Sequence, residues 1–388
     1  MLKDEKNDHG PQALRARRIC LSPERVVEDG LLLVREGRIL DVGSYRLLRR
    51  SYDGEVQDLG EVTLTPGVCN AHTHMELCHC KGKTRLKEGF VPWLRSLLEN
   101  NLQDCDPEIL ESAAKGLRAS GTGHVVDIGS RNPWPVSQAL EKAGLHYTLC
   151  GEAFGFTLPG DPHPPLPKPF LSLDPRQWRH VAAAGHALYS TSPEHLRKAR
   201  SWSLGKGHFF SMHLAEFPEE EEMLRTGAGP LYDLMRGPVL PQKWRAPGVG
   251  PVSMAWQEGL LGPGTLAVHC VHVDAKDLRL LKESGSLVCL CPRSNAGIGV
   301  GCPDITAFLD AGIACCLGTD SLASNEDLDV WEEVRFILKK KPLGLRQALA
   351  LTSGNVASLP GMGHLGSLMP GKAAFWSVLP ADLEALLG

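Results

Sequence analysis

No run of 18 apolar residues occurs in this 388-residue chain, so no segment reads as a membrane-spanning helix. The opening stretch MLKDEKNDHGPQ has no apolar core, and a secretory leader is not expected. There is no basic excess either. The formal net charge is −4, without the electrostatic footprint of a nucleic-acid binder, and Arg15, Arg17 and Arg18 read as a solvated strand edge. Twelve cysteines are present, yet none form a Cys-x-x-Cys pair, which argues against a cysteine zinc site. Their irregular spacing is not that of a disulfide framework. Cys78 and Cys80, Cys289 and Cys291, and Cys315 and Cys316 lie in apolar runs and read as buried free thiols. A reducing compartment, the cytoplasm, is the expected location.

What is present is an ordinary globular balance, 43% hydrophobic and 22% charged. The length suits one large domain of about 250 residues or more with a smaller attachment. After residue 60, eight short apolar runs recur: Thr63 to Asn70, Gly123 to Ile128, His146 to Ala153, His180 to Tyr189, His208 to Leu214, Thr265 to Val271, Ser286 to Cys291 and Ile313 to Leu317. Stretches able to form helices separate them. Pro107 to Leu117 and Pro193 to Trp202 carry a proline near the first turn and an apolar stripe. Eight strand–helix units predict an α/β chain folded as a parallel (β/α)8 TIM barrel over residues 63–358.

The two ends differ. Gly30 to Val42 alternates around a turn at Glu36 and Gly37 and reads as a β-hairpin, and Gly366 to Leu379 is strand-like around Pro370 and Gly371. Residues 1–62 and 359–388 are expected to pair into one discontinuous small β-sandwich domain. Two Gly- and Pro-rich loops, 157–169 and 227–252, leave the third and fifth strands at the end where barrel enzymes build their sites. They are candidate lids or pocket walls, with plain surface insertion as the equal alternative.

The strongest chemical signal is His72-Thr73-His74 after the first barrel strand. Residues i and i+2 of a strand point the same way, so two imidazoles can share one ion. Alone the pattern is weak. It gains weight because His213, His269 and Asp320 end the fifth, sixth and eighth runs, and in a barrel those ends converge on one mouth. A lone histidine after an apolar run is usually a core residue. Coincidence at four strand ends makes that reading improbable here.

The segments Pro66-Gly67-Val68-Cys69-Asn70-Ala71-His72-Thr73-His74, His213-Leu214-Ala215-Glu216, His269-Cys270-Val271-His272 and Gly318-Thr319-Asp320-Ser321 resemble, in order, the motifs of the amidohydrolase superfamily. The likeness covers nearly the whole chain. It is greatest to the branch of cytosine, guanine and adenosyl-compound deaminases and triazine hydrolases. The resemblance implies one divalent metal ion, zinc or iron with zinc favoured, on His72, His74, His213 and Asp320. It further implies Glu216 as proton shuttle, His269 as the histidine contacting water and substrate, and Asp320 as an assisting base. The physics agrees: neutral imidazole and carboxylate suit zinc or ferrous iron, and a carboxylate beside the site can move protons to a leaving nitrogen. Binuclear members carry a modified lysine on strand four, whereas His180 to Tyr189 contains none, which favours one ion.

His186, after strand four, matches a substrate-contacting histidine. Glu99 follows Trp93 in the first helix and is a candidate for a ring nitrogen or a ribose hydroxyl. Arg131, Ser294 and Asn295 are further pocket candidates; His272 and Glu76 are candidate supports or plain structure. The stretches His72 to Leu77, Lys81-Gly82-Lys83, Phe90 to Asn100, Cys291 to Asn295 and Asp320 to Asn325 are similar to the aminodeoxyfutalosine deaminases of menaquinone synthesis. Lys372-Ala373-Ala374-Phe375 lacks the aspartate usual in the terminal Gly-Lys-x-Ala-Asp motif.

The expected activity is thus hydrolytic deamination of an aminated purine nucleoside, with a small-molecule substrate, no nucleic-acid or membrane partner, and a homodimer admitted by the resemblance. Guanine, adenosylhomocysteine, methylthioadenosine, a triazine or a cyclic amide are the alternative substrates. A non-catalytic scaffold is the alternative of another class, disfavoured because every ligand position is kept.

Overall fold

The structure is a computed structural model that describes residues 11–156, 164–174 and 176–387. Near the N-terminus come β1 (Gln12–Ser22), β2 (Arg25–Arg35), β3 (Arg38–Ser44), β4 (Gln57–Asp58) and β5 (Thr63–Pro66). Eight strands follow: β6 (Val68–Thr73), β7 (Thr122–Gly129), β8 (His146–Ala153), β9 (Val181–Gly185), β10 (Phe210–Leu214), β11 (Thr265–His269), β12 (Leu287–Leu290) and β13 (Cys315–Leu317). The last is β14 (Trp376–Val378). Strands β6 to β13 pair in sequence order, all parallel, with helices between them. This is the expected (β/α)8 barrel. Its edges meet where Thr73 bridges Asp320 and where the amides of Thr319 and Asp320 donate to the His72 carbonyl at 3.1 and 2.9 Å.

The strands read as unbroken apolar runs because both their faces are covered. Cys69, Ala71, Val126, Ile128, Cys150, Ala184, Leu266, Val268, Cys289 and Cys316 pack together inside the barrel. The alternate residues Val68, Val125, Leu149, Val181, Ala183, Met212 and Val288 pack outward against the helices. The expected helices at Pro107 and Pro193 run Pro107–Ala119 and Pro193–Gly205. Each opens on a capping side chain, Asp106 accepting the amides of Glu108 and Ile109, and Ser192 that of His195. All twelve cysteines are free. No helix among the described residues is long and apolar enough to cross a membrane.

The chain ends do build one small β domain, as a six-stranded sheet ordered β14-β5-β1-β2-β3 with β4 beside β1. The β2–β3 turn is the expected one: Glu36 and Gly37 have φ of 51° and 71°, the left-handed pair that matches hairpin twist. Leu14, Ile19, Leu32 and Leu64 pack on one face of this sheet, and Ala13, Leu31 and Leu33 pack under Tyr45 and Tyr52 on the other.

Two expectations change. Thr63 to Asn70 is not one barrel strand but two strands in different sheets. Thr63–Pro66 pairs with β1 and β14, and only from Val68 does the chain enter the barrel, later than the expected boundary at 62/63. Gly67 makes the switch. Its amide donates to the Phe375 carbonyl at 2.8 Å, and a Cβ there would lie 2.8 Å from Phe375 Cβ and 3.1 Å from its carbonyl carbon. Gly366 to Leu379 likewise yields only the short β14. It is followed by a helix, Ala381–Leu387, whose Leu383 and Leu387 pack into the barrel's outer layer.

Because the obstruction at Gly67 is the Phe375 Cβ and the main chain behind it rather than a flexible tip, Gly67→Ala should cost about 1–3 kcal/mol in denaturant unfolding. Wild-type stability in that variant would contradict the assignment of Gly67 as the junction.

Candidate active site

The parallel strands bring their C-terminal ends to one mouth, and the chain turns sharply as it leaves them. Ala215, His269, Cys270 and Asp320 hold φ values of 51°, 76°, 48° and 59°. Such left-handed geometry costs non-glycine residues roughly 1–3 kcal/mol each and persists only where the surroundings enforce it. Here the Cys270 and His272 amides donate to the carbonyls of Leu214 and Ala215, each at 2.9 Å, while Asp320 is tied to His72.

The result is a compact buried cluster. His74 Nε2 lies 3.3 Å from His213 Nε2 and 3.7 Å from Asp320 Oδ1, and His72 Nε2 lies 3.8 Å from the same oxygen. Donors bonded tetrahedrally at about 2.1 Å would sit about 3.4 Å apart. Ligand atoms of His72, His74 and Asp320 lie within 4.8 Å of one another, as do those of His72, His213 and His269. Both ring nitrogens of His72 are buried without a hydrogen-bond partner. Left so, they would carry a desolvation cost that an ion relieves. The donor set therefore fits a divalent cation.

The electrostatics keep these groups in usable forms. Burial, reinforced by neighbouring histidines, pushes His72 and His213 well below the ordinary imidazole range, so both are neutral and free to ligate. Burial lowers His269 to about 4 and His186 to about 3. Asp320 is pushed up by burial but pulled down more strongly by His74, His72 and His269, to about 2. Glu216 goes the other way. Burial, then Asp320 and Glu220, raise its carboxyl well above the usual range. Its Oε1 stands 3.7 Å from His269 Nε2.

The remaining candidates fall into place unequally. His186 is half-buried beside the cluster, its ring 5.0 Å from that of His213 and its Nδ1 2.6 Å from Ser190 Oγ. Arg131 has its side chain 32% exposed and donates through Nη1 to Glu76 at 3.1 Å. Glu76 also accepts the amides of Ser130, Arg131 and Asn132, so it holds the loop after β7. Ser294 and Asn295 are fully buried behind the cluster instead of lining a pocket. Ser294 Oγ donates to Asp320 Oδ2 at 2.7 Å, and Asn295 Nδ2 meets His269 Nδ1 at 3.1 Å. His272 buttresses the Val300 carbonyl at 2.8 Å. Glu99 is exposed at the C-terminal end of helix Phe90–Leu98, and no described contact joins it to the cluster. From that helix Trp93 reaches the site region, donating to the Ala323 carbonyl at 3.0 Å.

Three polar groups escape the sequence reading. Ser324 Oγ gives Asp320 Oδ2 a second hydrogen bond at 3.0 Å. Asp127, deep in β7, accepts the Met75 amide at 2.7 Å and Thr73 Oγ1 at 3.1 Å, fixing the turn after His72. Glu152, near the end of β8, points inward with Cys150 and has a carboxyl raised to about 8, by burial and then by Glu76. A carboxylate two residues from an inward cysteine in an apolar strand was a legible signal for Glu152. The loop 227–252 is a packed wall, its Leu231, Met235 and Leu240 joining Phe90, Tyr189 and Phe217 above the barrel. In the loop 157–169, residues 157–163 lie outside the described residues.

The amidohydrolase family model matches residues 63–386. The chain is 30% identical over 321 residues to the 5-methylthioadenosine/S-adenosylhomocysteine deaminase of Nitratidesulfovibrio vulgaris, covering 80% of this chain and 67% of that protein. It is 29% identical over 309 residues to the aminodeoxyfutalosine deaminase of Deinococcus radiodurans, covering 76% and 72% respectively. The crystal structure of Helicobacter pylori aminofutalosine deaminase in complex with methylthio-coformycin superposes with a TM-score of 0.80 at 22% identity, covering 95% of this chain and 91% of that one.

Gly318 precedes the Thr319–Asp320 turn, and a Cβ there would lie 2.7 Å from His72 Cβ and 2.9 Å from its amide nitrogen. Gly318→Ala should therefore displace His72 and weaken divalent-metal binding by roughly tenfold or more. Metal content after dialysis, set beside far-UV circular dichroism, checks this; wild-type metal retention would refute it.

Proposed function

Because the chain belongs to the amidohydrolase family, we propose that it is a hydrolytic deaminase of an adenosine-like nucleoside, with one zinc ion on His72, His74, His213 and Asp320. The observation that carries this reading is Glu216. It is a buried carboxyl whose proton affinity is raised, and it stands 3.7 Å from His269 beside a cluster whose donors fit a cation. Removing an aromatic amine requires a group able to take a proton from water and give it to nitrogen. The imidazole-rich set with a single carboxylate suits zinc, with iron also accommodated. Strand β9 reads Val-Ala-Ala-Ala-Gly and offers no lysine for a second ion.

A divalent ion bound there lowers the pKa of a water from roughly 15.7 to about 7. Glu216 accepts the proton released as oxygen attacks the amino-bearing carbon and delivers it to the adjacent ring nitrogen. With Asn295 Nδ2 donating to His269 Nδ1, the imidazole proton sits on Nε2 and stabilises charge on the tetrahedral carbon's oxygen. Asp320 has Oδ2 tied by Ser294 and Ser324, which leaves Oδ1 toward the cluster. It takes the hydroxyl proton as the carbonyl forms and passes it to the departing amino group, which leaves as ammonia. His186 and Arg131 stand at the mouth as substrate contacts.

For the substrate, aminodeoxyfutalosine is the leading reading, which places the enzyme in menaquinone synthesis. The relative at 29% identity and the sequence stretches around His72 and Phe90 support it. Methylthioadenosine or adenosylhomocysteine is the second reading, favoured by the relative at 30%.

The zinc-loaded enzyme should release ammonia from at least one adenine nucleoside of a panel containing aminodeoxyfutalosine, methylthioadenosine, adenosylhomocysteine and adenosine, and leave guanine and triazines untouched. Silence toward every adenine compound would defeat the proposal. Glu216→Gln should lower kcat by about 10²–10⁴ with metal content unchanged. Chelation should abolish turnover, and zinc should restore it.

A further inference from the structure

Glu152 is a mostly buried acidic group beside the cluster that the mechanism above does not use. Its side chain is 11% exposed, and its Oε1 is buried with no hydrogen-bond partner. That oxygen lies 3.6 Å from Nδ1 of His213, the ring nitrogen facing away from the His74 and Asp320 donors. Glu152, His186 and His213 offer ligand-type atoms within 4.8 Å of one another. The nearer acceptor at Nδ1 is the His186 carbonyl at 3.3 Å, an oxygen that also accepts the His213 amide at 2.9 Å. His213 Nδ1–H thus lies between a carbonyl that it shares with the His213 amide and a carboxyl oxygen that has no other partner.

A histidine that ligates through one nitrogen usually donates its other N–H to a carboxylate or carbonyl, which fixes the tautomer and makes the ring a better donor. We propose that Glu152 is a positioning residue for the metal: its carboxylate accepts the Nδ1–H of His213 and presents Nε2 to the ion. The proposal rests on the reading of His213 as a metal ligand. It also accounts for an unpaired carboxyl inside the barrel, since a cation one imidazole away supplies the compensation that no side chain at Oε1 provides. Arg131, whose charge also favours the ionised form of Glu152, is itself engaged by Glu76.

The test is Glu152→Gln, which keeps the shape and removes the negative charge, with Glu152→Ala as a second variant. Zinc affinity is measured by competition with a chromophoric chelator, the cobalt(II) absorption spectrum is recorded, and melting is followed with and without zinc. Both variants should bind zinc roughly 10–100-fold more weakly. The cobalt spectrum should shift, and the zinc-induced rise in Tm should shrink. Metal-free Glu152→Gln should melt no lower than the metal-free wild type, because the amide keeps the shape and removes the cost of a buried charge. At saturating zinc, KM should stay within about twofold of wild type. Unchanged zinc affinity in Glu152→Gln would overturn the proposal, and a raised KM alongside it would make Glu152 a substrate contact instead. A wild-type chain whose zinc affinity does not fall in His213→Ala would instead overturn the metal reading itself, and this proposal with it.

Discussion

The carbonyl of His72 holds this molecule together at its most consequential point. It accepts the amides of both Thr319 and Asp320, and with the Thr73–Asp320 bridge it joins the last barrel strand to the first. A barrel without that seam is an open sheet with two exposed edges. The same residues contribute side chains to the cluster, so closure of the fold and assembly of the site are one event. His72 and Asp320 lie far apart in sequence, yet their relative position is set by main-chain hydrogen bonds. Rotamer choice on mobile loops plays no part in it. That is the kind of support a catalytic constellation needs if its donors are to stay within a few tenths of an ångström of useful geometry.

Around the seam, polar groups are stacked in depth. Ser294 and Ser324 hold one oxygen of Asp320, Asn295 holds His269, Asp127 holds the turn after His72, and Glu76 gathers three successive amides after β7. Each is a buried polar residue that would destabilise an apolar core if left alone. Beside these satisfied groups, both ring nitrogens of His72 and Oε1 of Glu152 are buried without a partner.

Much of this was legible in the residues. The eight strand runs were visible because parallel strands covered on both faces read as continuous apolar stretches. The cluster was visible because His72, His74, His213, His269 and Asp320 all terminate such runs. Less could be read where the determining contact is remote. Nothing local in Thr63 to Asn70 says that Gly67 divides it, because the reason is the Phe375 backbone packed against it. Ser294 and Asn295 looked like pocket residues from their place after strand seven, but helix Pro292–Ile298 starts there and turns both inward behind Asp320 and His269. Glu99 follows Trp93 in the first helix and carries a charge suited to a ring nitrogen or a hydroxyl, whereas its place at the end of that helix puts it in solvent. Glu152 was passed over because it sits within an apolar run.

The small β sheet has a consequence for how the chain is made. Its β5 pairs on one side with β1 and on the other with β14, register Trp376 to Pro66, so its partners come from before and after the barrel strands in sequence. During synthesis β1 to β5 emerge before the barrel strands, yet the edge of β5 stays open until Trp376–Val378 has left the ribosome. The eight barrel strands are threaded between these two events. The sheet thus completes only after the barrel's last strand exists, and a chain stopped short of Trp376 leaves β5 as an unpaired edge, able to recruit another strand.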